Sequence, residues 1–263
     1  MEDWAKKMFV DRADLFLKIM NPRWARTELL VDGMVKILKD YGIEKGRILD
    51  LFCGNGRVSV TFARKGFSAV GVDVSPIFID DAISRAKALG VSESVKFVQG
   101  DARKLLELLP EAGYFDAVVN AWTSIGFFGR NDDLSIFRQA RRLTREGGLL
   151  FIAEASHRDY ANLRFGPSLF TQYEDTVVLE NPVWNTLTSR LKNVWSFYAK
   201  EGDDLKFIDR IGFDIYIYSA SELASLLQEA GWETLAAYGS LATQQPFTPL
   251  TAMNLVARAI EEQ

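Results

Sequence analysis

The 263-residue chain holds one cysteine, Cys53, and one histidine, His157. A single thiol excludes an intramolecular disulfide framework, and with a single imidazole most thiolate and imidazole metal sites go too, so no metal ligand set is assigned. Nucleophilic triads have little to be built from. Long apolar runs are also missing: nothing approaches the roughly 20 residues of a membrane span. The opening stretch, MEDWAKKMFVDRADLFLKIM, mixes acids and bases and lacks a signal peptide's apolar core. A cytoplasmic address without a membrane partner is therefore expected. Nor does charge of one sign dominate. Thirty-one basic residues against 35 acidic ones give a net charge of -4, which offers no field for general nucleic-acid binding. The composition, 48% apolar and 25% charged, is that of an ordinary globular chain with a sizeable core.

What is present is a long alternation. Trp4, Met8, Leu15, Phe16 and Ile19 recur at roughly helical spacing, and Asn21-Pro22 breaks the run before a second helical stretch from about Arg26 to Asp40. Five β-α units follow, with near-continuous apolar strands RILDLF, SAVGVDV, VKFVQ, FDAVVNA and LLFIAEA. This is the signature of a parallel sheet covered on both faces. After Ala155 the pattern changes to candidate strands at 173–179, 184–199 and 206–218 without strong intervening helices, an antiparallel insert. Ser219 and Glu222 form a capping box opening a helix that stops at Gly231. Two strands, WETLAAY and AMNLVARA, come last, joined by a loop over 239–251 expected at the surface.

The segment LDLFCGNGR joins a strand to a helix through Gly54 and Gly56, whose missing side chains let backbone N–H groups approach a ligand. Glycine turns of this kind serve several cofactors. A dehydrogenase fingerprint wants glycine or alanine where Ser59 stands, and the strand carries an acid, Asp50; both features turn away NAD, and the P-loop lysine is missing. The next strand ends on Asp73, where a carboxylate can accept hydrogen bonds from both hydroxyls of a ribose. The third ends in QGDA, bringing Asp101 and the backbone of Ala102 to the same carboxyl edge, and the fourth ends in NAWTS.

Taken in order, LDLFCGNGR, VGVDVS, QGDARKL, FDAVVNAWTSIGFF and LTREGGLLFIAEA resemble class I S-adenosylmethionine-dependent methyltransferases, particularly small-molecule, glycine N-methyltransferase-like members. The resemblance implies an α/β, Rossmann-like doubly wound sheet of seven strands, the last antiparallel, with helices on both faces and an antiparallel β insert as active-site cover. It divides the chain into N-terminal helices acting as a lid (1–45), an S-adenosylmethionine-binding core (46–155), the insert as substrate cover (156–218), and a helix with a strand hairpin completing the core (219–263). By position, Gly54, Asn55 and Gly56 would pass under the methionine part, Asp50 would brace the loop, Asp73 would bind the ribose, and Val74 beside it would also contact the cofactor. Asp101 and Ala102 would meet adenine, while Asn120, Ala121 and Trp122 would border the methionyl chain and adenosine. Arg26, in ARTEL, would pair with the methionine carboxylate or else be a solvated helix arginine.

A sulfonium is already an activated methyl donor, so such a protein chiefly aligns a nucleophile with it, worth roughly 7 to 11 kcal/mol in favourable cases. The product would be S-adenosylhomocysteine. His157 follows the fifth strand and is either a general base or a structural histidine. Glu154 either binds a substrate cation or is an exposed acid. Thr123 to Phe128 would supply aromatic walls, as would Phe170, Tyr173, Trp184, Trp195, Phe197 and Tyr198 of the insert, some packing instead. The expected reaction is direct methyl transfer to nitrogen or oxygen of a small-molecule acceptor, with an amine favoured. The alternatives are an RNA or protein methyltransferase and a non-catalytic S-adenosylmethionine-binding regulator. The protein is expected to be a monomer or homodimer.

Overall fold

Strands that are apolar on both faces belong in the middle of a covered sheet, and four of the five expected ones lie there; the third, VKFVQ, is at the sheet edge. A computed structural model describes residues 3–110, 115–122, 124–164 and 168–260. In it β1 (Arg47–Leu51), β2 (Ser68–Asp73), β3 (Val95–Gln99), β4 (Phe115–Ala121) and β5 (Thr144–Ala155) run parallel. An insert follows as β6 (Leu169–Tyr173), β7 (Thr176–Asn185), β8 (Arg190–Glu201) and β9 (Asp204–Tyr216), a separate antiparallel sheet in that order. Then β10 (Trp232–Ser240), β11 (Gln245–Pro246) and β12 (Met253–Ala259) rejoin the main sheet. Its order is β11-β10-β12-β5-β4-β1-β2-β3, with β12 antiparallel to both its neighbours.

The helices are α1 (Asp3–Lys6), α2 (Ala13–Met20), α3 (Trp24–Asp40), α4 (Arg57–Arg64), α5 (Pro76–Ala88), α6 (Leu105–Leu108), α7 (Arg130–Arg142), α8 (Arg158–Arg164) and α9 (Ala220–Glu229). Alternation along each strand divides the core in two. Ile48, Ala117, Val119, Leu149 and Phe151 pack under α3 and α4 with Leu30, Met34, Ile37 and Phe62. Leu49, Leu51, Val118, Leu150 and Ile152 face the other way, onto Leu134, Phe137, Leu223 and Leu227 of α7 and α9. Because the strand order reverses between β1 and β4, the connection after β1 rises to one face and that after β4 to the other, leaving a crevice at their carboxyl ends.

Four differences from the sequence expectation are local. The main sheet has eight strands rather than seven, because Gln245–Pro246, inside the expected surface loop, pairs with β10. The proline sits at the sheet edge, where its missing donor costs nothing. The insert has four strands rather than three, since Glu174 at φ 51 turns the chain where a strand over 173–179 was expected. A short helix, α8, precedes it. The first helix is broken into α1, a π-helical turn over Lys7–Asp11 closed by Arg12 N–H to the Lys7 carbonyl at 2.8 Å, and α2. Among the described residues no helix is long and apolar enough to cross a membrane.

The inner face of the insert would be an exposed apolar surface on its own. The N-terminal arm covers it: Met8, Phe16 and Ile19 pack with Val178, Phe197 and Ile211 of the insert and Phe78 of α5. Ion pairs fasten the arm from outside, Lys7 and Arg12 both to Asp209 (2.9 and 2.6 Å) and Lys18 to Asp175 (2.8 Å).

Candidate functional site

The carboxyl edge of the sheet is where the backbone departs from ordinary conformations. Phe52, Trp122 and Glu154, at the ends of β1, β4 and β5, have φ of 55, 72 and 54° without being glycine. Such geometry costs about 1 to 3 kcal/mol per residue and persists where the surroundings impose it. Here it turns the connections that leave three adjacent strands of the sheet.

The loop after β1 is held from both sides by buried carboxylates. Asp50 accepts from the Ser59 N–H and hydroxyl (3.1 and 2.6 Å), tying the strand to the first turn of α4. Asp73 accepts from the Gly54 and Ser75 amides, both at 2.9 Å. Burial lifts each carboxyl to about 6, against the opposing pull of these hydrogen bonds. Gly56 has φ 73, and a Cβ there would come 2.8 Å from both Ala82 of α5 and the Phe97 ring of β3, so only glycine lets α4 start this close to its neighbours. The Cys53 side chain packs in the loop, its thiol pushed up by burial.

Two cavities open over this edge. One is floored by Asp50, Phe52, Gly54, Asn55, Asp73 and Val74 and walled by Asp101, Ala102, Phe78 and Phe128. The other lies beneath the insert among Trp4, Tyr173, Trp195, Phe213, Tyr216 and Tyr218. Phe9, Phe16, Trp122 and Phe127 line both. The partition between them is therefore built of side chains from the arm and the β4 connection. Phe16 stacks between Trp122 (5.5 Å) and Trp195 (6.0 Å), and Phe9 stacks on Phe127 (5.6 Å). Gly126 lets the β4 connection lie against β9, because a Cβ would fall on the Tyr216 carbonyl.

Of the residues expected at a cofactor, Asp50, Gly54, Asn55, Asp73, Val74, Asp101, Ala102, Ala121 and Trp122 line the first cavity. Gly56 lies behind it. Asn120 lies beside it, 1% exposed, and neither atom of its amide has a partner among the described residues. Asp101 is engaged by Arg103, whose Nη2 approaches to 2.6 Å. Asn55 donates to Asn21 at 3.2 Å, so the loop also grips the junction of arm and α3.

The structure moves three assignments. Arg26 is exposed and lines neither cavity; a helix turn earlier, Arg23 lies over the Trp122 ring at 3.8 Å and lines the second cavity. Burial lowers its guanidinium to about 10. The sequence signal was there, since Arg23 and Arg26 stand three apart, but which one faces inward depends on the 3-10 turn at Asn21–Arg23. Glu154 is ion-paired: it lies 3.3 Å from Arg57 Nη2 and 3.9 Å from Arg23 Nη1. Its partner Arg57, the first residue of α4, is buried and lines the first cavity. His157 is fully buried outside both cavities, its Nε2 2.8 Å from the Thr251 carbonyl and its ring edge-on to Phe247 at 4.9 Å, which makes it a packing residue between β5 and the β11–β12 connection.

In the segment 123–128, Thr123 lies outside the described residues, while Ser124, Ile125, Phe127 and Phe128 all line a cavity. Of the six insert aromatics expected to form walls only Tyr173 and Trp195 do, and Phe213 and Tyr216 of β9, which were not expected, join them. Phe197 is core, Trp184 packs beside Leu191 and Ile215, Tyr198 pairs with Phe207, and Phe170 is exposed.

Residues 48–148 match a family model described as a methyltransferase domain. The Bacillus subtilis protein YqeM, which carries a methyltransferase name, is 37% identical over 117 residues, 44% of this chain and 45% of that one. The chain thus matches less than half the length of that relative. A crystal structure of an S-adenosylmethionine-dependent methyltransferase from Clostridium acetobutylicum superposes with a TM-score of 0.78 at 13% identity, covering 95% of this chain and 99% of the other. The CcbJ methyltransferase of Streptomyces caelestis gives 0.71 at 22% identity, covering 88% and 90%. At these identities the likeness is one of fold.

Proposed function

We propose that this chain, whose residues 48–148 are a methyltransferase domain of class I fold, uses S-adenosylmethionine to methylate an amine nitrogen of a small molecule. The observation that carries the reading is the pair of cavities meeting at one aromatic partition, Phe9, Phe16, Trp122 and Phe127. A donor in one and an acceptor in the other would be separated by side chains alone.

The residues present suit the cofactor. Asp73 offers an ionisable carboxylate at the ribose position, and Asn120 holds a buried amide with no other partner. Arg57, which lines the first cavity, and Arg23, which lies over the Trp122 ring that both cavities share, divide the single carboxylate of Glu154, leaving net positive charge for a methionyl carboxylate. Arg23 takes the place expected of Arg26. When bound, the cofactor supplies a sulfonium methyl that needs no further activation.

The chain's own tasks are then alignment and exclusion of water. The arm, held down on Asp209, closes the aromatic partition over both cavities. An amine arrives protonated and meets aromatic faces at Trp4 and Phe213. Its proton has an exit. The Tyr218 hydroxyl, in the cavity wall, donates to Asp133 Oδ2 at 2.8 Å, and burial raises that carboxyl to about 7. Tyr218 itself stays protonated, raised by burial and by Asp133.

The test is transfer of a radiolabelled methyl group to a panel of small amines, phenols, carboxylates and transfer RNA. Label in the amines, and its weakening by R23A through a higher KM for the methyl donor, is the expected outcome. Label confined to transfer RNA, or none in any acceptor, would overturn the proposal.

A further inference from the structure

The second cavity contains polar groups that methyl transfer does not use. On the cavity face of the insert, Glu180 of β7 stands directly across from Trp195 of β8, and Asn193, two residues earlier on β8, shares that face. Asn193 is 3% exposed and donates its Nδ2 to Glu180 at 3.1 Å. A carboxylate only accepts, so this bond fixes the amide's orientation and leaves Asn193 Oδ1 as an acceptor. Among the described residues Asn193 Oδ1 has no partner, and neither does the buried indole Nε1 of Trp195. Two unpaired polar atoms on one short stretch of a cavity wall are costly unless a ligand completes them.

Their chemistry restricts that ligand. A carboxylate or phosphate would bring acceptors against Asn193 Oδ1 and Glu180. An ammonium would bring donors and leave the indole N–H unpaired. A hydroxyl both donates and accepts, and two neighbouring hydroxyls match the set.

We infer that Glu180, Asn193 and Trp195 form a subsite for a hydroxylated portion of the methyl acceptor, so that the substrate is a polyol-bearing amine of aminohexose or aminocyclitol type. This rests on the proposed amine methylation and adds the part of the substrate that the insert recognises. Asn193 and Trp195 are specificity-determining residues in this reading.

The experiment compares aminohexoses and aminocyclitols with cyclohexylamine and benzylamine, in the wild-type chain and in the N193L and W195F variants. Methyl transfer is measured together with calorimetric binding of each amine to the S-adenosylhomocysteine complex. S-adenosylhomocysteine affinity in the same samples reports whether each variant is folded. In the wild type, the hydroxylated amines are expected to exceed the plain ones in kcat/KM by tenfold or more, of order one to two hydrogen bonds. N193L and W195F are each expected to shrink that ratio severalfold, chiefly through KM. Equal kcat/KM for both classes in the wild type, or an unchanged ratio in folded N193L, would sink the subsite while leaving amine methylation standing. Hydroxyl-dependent binding that N193L abolishes, without methyl transfer, would keep the subsite and end the methylation proposal. Absence of both binding and transfer would end both.

Discussion

Replacing Asp73 with asparagine keeps the size of the side chain and removes its charge. In the native loop Oδ2 accepts from Gly54 and Oδ1 from Ser75; asparagine has one acceptor and one NH2 group, so one of these amides loses its partner. In a side chain only 8% exposed, such an orphaned donor costs about 1 to 3 kcal/mol of stability. Binding suffers more. Two ribose hydroxyls on a charged acceptor are worth ~1.5 to 3 kcal/mol each and do not add fully, so D73N is expected to lose about 2 to 4 kcal/mol, roughly 30- to 1000-fold in Kd for S-adenosylhomocysteine. The pH dependence tests the same carboxylate without a mutation. Burial lifts Asp50 and Asp73 to about 6, above the ~3.9 of an unfolded carboxyl. The free protein therefore holds protons that the unfolded chain releases, and it gains stability as pH falls from about 6 toward about 4. A ribose that needs ionised Asp73 runs the other way: affinity levels off above about pH 7 and weakens by up to about tenfold per unit below 6. Calorimetric titration of wild type and D73N between pH 5 and 8, with thermal melts of the free protein, reads both trends. Wild-type affinity in D73N, or a Kd flat across that range, would refute the assignment of Asp73 to the ribose.

Three further outcomes are expected. Gly56→Ala puts a Cβ 2.8 Å from Ala82 and Phe97 at a left-handed φ and should cost about 2 to 4 kcal/mol; a urea midpoint equal to wild type would show that α4 can shift without penalty. His157→Leu orphans the Thr251 carbonyl and should lower stability by about 1 to 3 kcal/mol while kcat keeps its wild-type pH profile, and loss of one limb of that profile would restore His157 as a base. Asp209→Asn removes the shared partner of Lys7 and Arg12, a partly exposed pair worth no more than about 1 kcal/mol, yet it should speed S-adenosylhomocysteine release severalfold in stopped-flow. An unchanged release rate would separate the arm from closure of the site.

The core of the fold was legible because its strands are apolar on both faces and its turns are punctuated by glycine. Asp50, Gly54, Asp73 and Asp101 were legible for a related reason: each stands at a strand end, and in a parallel sheet all strand ends share one edge. The arm's covering role was only half legible. Its apolar residues were visible, but the π turn at Lys7–Asp11 that sets their facing was not. The insert aromatics were harder still, since period-two alternation states which residues share a face but not which face is covered; Tyr173 and Trp195 line the cavity while Tyr198 and Phe170 do not.

Sequence by itself determined the order of elements, the glycine turn after β1 and the chain of carboxylates that follows it, all consequences of local periodicity and steric demand. Tertiary structure alone decided which arginine faces inward, that Glu154 is held between Arg23 and Arg57, and that His157 is buried packing. It also brought Phe9 and Phe16 against Trp122 and Phe127, and set Asn193 and Trp195 unpaired in the acceptor cavity. Those outcomes depend on contacts between segments up to about two hundred residues apart, such as Lys7 with Asp209, and burial created by such contacts is not written in any local pattern.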